Sequence, residues 1–158
     1  MTQDELLRLI DEAAADGRST LDLAGKGLNE LPPEIGKLTK LKTLVLGRWD
    51  KKKGRLGNNL RTLPDEIGQL TELRSLFLYG NQFTELPEVV CELVKLRSLN
   101  ITSNKIARLP NKIGQLTAVR YLNLRNNQIK ELPEFIGQLT NLTSLNLWNN
   151  QIKELPEF

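Results

Sequence analysis

Histidine is absent from the 158 residues, and cysteine occurs once, at Cys91. Without histidine the chain lacks the commonest general base, the partner in Ser-His and Cys-His nucleophile pairs, and the most frequent metal ligand. One cysteine forms no internal disulfide, which suits a reducing compartment. No apolar run approaches the ~18 residues of a membrane-spanning helix. The opening Met1-Thr2-Gln3-Asp4-Glu5 puts acid where a secretory leader carries base, and no apolar stretch follows it. A phosphate loop is missing too: Gly25-Lys26-Gly27 is too short and lacks the hydroxyl residue that follows the lysine in such loops. The expectation is a cytoplasmic protein that is not an enzyme, holds no cofactor or metal, and does not enter a membrane.

Base outweighs acid by only three charges, and the sequence pI is about 9.1. The excess is local. Lys51, Lys52, Lys53 and Arg55 stand against Asp50 within residues 49–57, which accounts for all of it. A nucleic-acid binder spreads base over a face or groove, so no nucleic-acid partner is expected.

What the chain has in abundance is a repeat. Leu76, Leu99, Leu122 and Leu145 are 23 residues apart, and so are Leu78, Ile101, Leu124 and Leu147. Asn81, Asn104, Asn127 and Asn150 keep the same step, as do Pro87, Pro110, Pro133 and Pro156. The unit reads L-x-x-L-x-L-x-x-N-x-h-x-x-L-P-x-x-h-G-x-L-x-x, where h is apolar. Leu21 precedes Leu44 by 23 residues, but Leu44 precedes Leu76 by 32, so the second unit carries nine extra residues, placed at Trp49–Gly57. Six units result, with strands expected near residues 20–23, 43–46, 75–78, 98–101, 121–124 and 144–147.

Each column has a physical task. Side chains alternate along a strand, so both leucines of L-x-L enter the core and the residue between them faces solvent. The asparagine amide both donates and accepts, so stacked asparagines can satisfy the backbone of a sharp turn in a ladder. Lys26 holds that place in the first unit, so the ladder is expected to begin at Asn58. Proline suits the first position of a short helical turn, where its missing N–H would have gone unpaired. Strands on one side and wider turns on the other force curvature. The expected fold is α/β: a curved horseshoe solenoid with a concave parallel β-sheet, short helical turns on the convex side and an N-terminal capping helix.

These columns, over Arg18–Phe158, resemble the leucine-rich-repeat family. The LPxxIGxL variant, as in Leu63–Leu70, is similar to repeats of intracellular Ras-linked scaffolds, plant intracellular Ras-group proteins and bacterial Roco proteins. The opening DELLRLIDEAAADGRSTLDLAGKGLNELPPEIGKL resembles the start of cyanobacterial Roco proteins. That resemblance implies an interaction module of a larger signalling protein whose Ras-like GTPase would lie beyond Phe158. The alternative is a set of substrate-recognition repeats in a larger enzyme, such as a bacterial effector ubiquitin ligase.

Residues 1–17 are expected to cap the first repeat and residues 18–158 to form the six repeats. Thr2 and Glu5 have capping-box spacing. Leu6, Leu9, Ile10 and Ala13 share one helix face, and Gly17 is the expected stop. No such cap follows the sixth repeat, where Asn149–Phe158 copies Asn126–Phe135 and then stops. Leu142, Leu145, Leu147, Ile152 and Leu155 are therefore expected to present an open edge, through which the chain would self-associate or fray.

Partner-binding residues are sought at the solvent positions of the strands. Val45, Phe77 and Tyr79 gather on neighbouring strands, with Tyr121, Arg125 and Trp148 two and three strands further on. Aromatic rings and arginine are the residue types of binding hot spots. Lys42, Arg74, Arg97 and Arg120 form a basic column before the strands, read either as a solvated flank or as a contact for acidic partners. The insertion, with Trp49, Lys51, Lys52, Lys53 and Arg55, reads either as a mobile loop or as a contact element. In the second reading Trp49 touches a partner or folds back near Val45 and Phe77. Cys91 replaces the repeat glycine and reads as a structural thiol.

Overall fold

The structure, a computed structural model, describes residues 1–157. Phe158, counted in the sixth repeat above, lies outside them.

Helix α1 (Gln3–Asp16) opens the chain. Thr2 Oγ1 accepts from the Glu5 N–H at 3.2 Å, and Glu5 Oε2 accepts from the Thr2 N–H at 2.7 Å. The capping box therefore forms, and that backbone hydrogen bond holds the Glu5 carboxyl below its ordinary pKa. Gly17 ends the helix in the left-handed conformation at φ 64°. Leu6, Ile10 and Ala13 are buried in the same core as Leu21, Leu23 and Leu41 of the first repeat.

Six strands then stack in parallel: β1 (Thr20–Asp22), β2 (Thr43–Asp50), β4 (Ser75–Leu78), β5 (Ser98–Asn100), β6 (Tyr121–Asn123) and β7 (Ser144–Asn146). Register follows the repeat, with Leu21, Leu44, Leu76, Leu99, Leu122 and Leu145 in one row. The first five of these are buried, because each is covered by the next repeat. Five 3-10 turns of five residues each line the opposite side, from Pro33–Lys37 to Glu134–Gln138. The result is the leucine-rich-repeat solenoid that the columns imply.

The prolines differ by one position from expectation. Pro64, Pro87, Pro110 and Pro133 precede their turns rather than begin them. Their carbonyls accept the first turn hydrogen bond from Ile67, Val90, Ile113 and Ile136 at 3.0–3.1 Å. Proline fits there because its fixed φ also suits extended backbone.

The ladder does begin at Asn58, whose Nδ2 donates to the Leu23 and Leu46 carbonyls at 2.9 and 2.8 Å while its Oδ1 accepts from the Leu28 N–H. Asn81, Asn104, Asn127 and Asn150 repeat the pattern. Each asparagine therefore satisfies its own strand end and the turn of the repeat before it.

The nine extra residues form a β-hairpin. Strand β2 runs on to Asp50, and β3 (Gly54–Leu56) returns antiparallel to it, pairing Arg48 with Leu56 and Trp49 with Arg55. Lys51–Lys53 make the turn, and Asp50 Oδ1 accepts from the N–H groups of Lys52 and Lys53 at 2.9 and 2.8 Å. Gly54 closes it at φ 75°, a conformation that costs glycine nothing.

Candidate functional site

The outward residues of the strands form three rows across the concave face. The row inside L-x-L holds Asp22, Val45, Phe77, Asn100, Asn123 and Asn146. Four of these side chains are turned onto their own backbone. Asp22, Asn100, Asn123 and Asn146 each accept from the N–H two residues on, at 2.9–3.1 Å. They finish the strand ends locally, as Asp and Asn do at turns. Val45 and Phe77 have no such task and are left half-buried as an apolar pair on adjacent strands.

The next row holds Ala24, Gly47, Tyr79, Thr102, Arg125 and Trp148. Trp148 is 62 % exposed, and the Arg125 guanidinium carbon lies 4.4 Å from its ring centroid. Such stacking orders both groups before anything binds. Thr102 is small and buried, so the row dips between Tyr79 and Arg125. Its hydroxyl has no hydrogen-bond partner among the described residues. Tyr121, 57 % exposed, stands at the other end of β6, where its neighbours are Ser98 and Ser144. It does not join either aromatic group.

The hairpin forms one wall of this face. Trp49 is 63 % exposed and meets Tyr79 edge-on, with centroids 6.5 Å apart and planes at 75°. Its partner is thus Tyr79, not Val45 and Phe77, because β2 carries the indole past the sheet before the chain turns back. Arg55, opposite Trp49 in the hairpin, donates from Nη2 to the Ser103 carbonyl at 3.1 Å. On the hairpin's other side Leu56 lies close to Gly25 of the first repeat. Arg48 bridges Asp22 and Asp50 at 3.0 Å each. Those bonds raise the Arg48 pKa, and the Lys53 and Lys52 amides together with Arg48 hold the Asp50 carboxyl low. At the base a side chain on Gly47 would collide with the Tyr79 carbonyl, and one on Gly57 with the Gly80 carbonyl. Two glycines therefore let the hairpin stand flush against β4.

The basic column Lys42, Arg74, Arg97 and Arg120 is exposed along the edge where the strands begin. Consecutive members are tied through backbone hydrogen bonds of 2.8–2.9 Å. Lys51, Lys52 and Lys53 are exposed at the hairpin tip. Cys91 is fully buried, and burial pushes its thiol up to about 12. Among the described residues no group of acids and thiols is placed to hold a metal, and no helix is long and apolar enough to cross a membrane. In the last repeat the core positions open to solvent: Leu145 is 36 % exposed and Leu155 65 %.

The chain resembles known proteins in sequence and in shape. Residues 71–118 match the family model described as Leucine Rich repeats (2 copies), and residues 111–158 that described as Leucine-rich repeat region. No curated protein matches the chain. Among solved structures, YopM from Yersinia enterocolitica aligns over 99 % of this chain and 30 % of its own, at 25 % identity and a TM-score of 0.73. The functional domain of InlJ from Listeria monocytogenes aligns over 87 % and 27 %, at 29 % identity and a TM-score of 0.70. The plant peptide hormone receptor RGFR1, solved in complex with RGF2, aligns over 75 % and 18 %, at 34 % identity and a TM-score of 0.62. The chain thus spans less than a third of each of these three.

Proposed function

We propose, from the premise that the chain is a leucine-rich-repeat protein, that it works as a protein-interaction module whose partner seats on the concave sheet. The observation that carries this is the pair of pre-arranged aromatic groups there, Trp49 with Tyr79 and Arg125 with Trp148, flanking the apolar Val45–Phe77 pair. Rings and arginines already held in place lose little freedom on binding, which is what hot-spot residues need. RGFR1 is a peptide receptor with the same architecture, which supports the reading. The chain acts by binding, since its one thiol is buried and protonated and no histidine is present to activate a nucleophile. The test is partner capture with matched variants. A partner held by the wild type is expected to weaken by ~1–3 kcal/mol for each of Phe77→Ala, Tyr79→Ala and Trp148→Ala where the ring is buried in the contact. A partner retained by all three, but lost when the convex residues Arg108 and Glu134 are changed to alanine, would place binding on the other face.

Two finer readings belong with this one. The LPxxIGxL return segments and the opening Asp4–Leu38 support a place within an intracellular Roco-type signalling protein. The open edge at Leu145 and Leu155 supports pairing with a second copy through residues 142–158, read by sedimentation at rising concentration. A chain monomeric throughout, with those residues as protected from hydrogen exchange as repeats three and four, would overturn the pairing.

A further inference from the structure

The chemistry of the partner can be read from the charges around the concave face. Within the strands, the residues just before them and the hairpin wall, the acids are Asp22 and Asp50 alone. Both are held by Arg48 at 3.0 Å. The bases of the strands and their leading edge are Lys42, Arg48, Arg74, Arg97, Arg120 and Arg125. Apart from Arg48, none of these forms an ion pair among the described residues. The remaining acids lie on α1 and on the return segments; of these Glu72, paired with Lys95, also feels the charges of Arg74 and Lys42. One surface thus carries an excess of base along its leading edge, with Arg97 and Arg120 clear of any ion pair among the described residues, and stacked aromatic groups along its far edge.

The dimensions suit an extended strand crossing the sheet. From β2 to β7 there are four strand-to-strand steps, about 19 Å, or about six extended residues. The dip over Thr102 is flanked by Tyr79 just after β4 and Arg125 beyond β6, two steps or about 10 Å apart. That is room for one large side chain. The long, flexible side chains of such a column can reach carboxylates repeated along the segment, and the guanidiniums can take them bidentately.

We propose that the concave face takes an extended acidic peptide segment, with one aromatic side chain seated over Thr102 between Tyr79 and Arg125. This rests on the concave face being the binding face, and the test separates the two ideas. The probe is an octapeptide of glutamates with a central phenylalanine, compared with versions in which glutamine or lysine replaces every glutamate. The chain supplies its own reporter, since Trp49 and Trp148 are its only tryptophans and both border the site. The glutamate peptide is expected to shift their fluorescence and to bind at least tenfold more tightly than the glutamine peptide, with affinity falling as salt rises. The triple variant Arg74→Ser, Arg97→Ser, Arg120→Ser is expected to lose that tenfold while its melting temperature holds. Lys51→Ser, Lys52→Ser, Lys53→Ser at the hairpin tip is expected to keep it. Equal affinity for all three peptides, no binding of the acidic one, or loss confined to the tip variant would overturn the proposal. So would a single-stranded oligonucleotide that displaces the acidic peptide at lower concentration. Binding of the glutamine peptide that is lost with Tyr79→Ala would leave the concave site standing and remove only the acidic partner.

Discussion

Asn104→Ala tests the ladder most directly. The asparagine is buried, and its Nδ2 donates to the carbonyls of Leu78 at 2.9 Å and Ile101 at 3.1 Å. Its Oδ1 accepts from the Phe83 N–H at 3.2 Å. Alanine leaves that N–H buried without its partner and strips both carbonyls of a donor. An orphaned buried group costs about 1–3 kcal/mol. The carbonyls keep a second lone pair, so the amide dominates, and the expected loss is about 3–4 kcal/mol rather than the full sum. Urea unfolding would measure it, with exposed Asn111→Ala as the control expected to change stability by less than about 0.5 kcal/mol. Hydrogen exchange adds a local signature: the Phe83 amide should lose protection while those of Leu60 and Ile129, held by Asn81 and Asn150, keep theirs. A loss below about 1 kcal/mol, or a Phe83 amide that stays protected, would mean that the leucine packing alone holds the turns.

Three further outcomes are expected. Gly47→Ala should destabilise the hairpin base, because the added methyl meets the Tyr79 carbonyl; a melting temperature equal to wild type, with Trp49 fluorescence unchanged, would refute the close packing. Thr102→Val replaces an unpartnered buried hydroxyl with a methyl and should be neutral or stabilising by up to about 1 kcal/mol; a loss of more than that would show the hydroxyl to be bonded. Burial raises the Cys91 thiol to about 12, so the reactive thiolate becomes the major form only above that pH. Iodoacetamide at pH 8 should therefore label the protein only as fast as denaturant unfolds it, and rapid labelling of the native chain would refute the burial.

The solenoid is legible because its signal is repeated. Each L-x-L fixes two side chains in the core, and a slip of one residue would turn both to solvent, so the 23-residue step leaves one register. The hairpin has no second copy to average over. Its clue was Asp50 and Gly54 bracketing three lysines, a residue that accepts backbone N–H groups and one that turns left-handed. An insertion of this kind reads equally as a surface loop, since connections of variable length run over the surface. Arg125 and Trp148 could be paired from sequence, since 23 residues separate equivalent sites on neighbouring strands. Trp49 and Tyr79 could not, because their contact depends on β2 running four residues beyond its expected end. The solvent row holds a further detail that spacing does not announce. Asn100, Asn123 and Asn146 look available in a list of outward positions, yet each side chain is already bonded to the backbone beneath it.

The ladder also gives the molecule a direction under load. Every asparagine from Asn58 onward holds the turn of the repeat before it, through the amides of Leu28, Leu60, Phe83, Ile106 and Ile129 in succession. Each repeat that peels away from the C-terminal side therefore removes the clasp of its predecessor, so unfolding in that direction should run like a zipper, in steps of one repeat. Unfolding from the other side must first break the capped helix and the hairpin whose Arg48 and Leu56 lean back onto the first repeat, and in that direction the same fold resists as a single block.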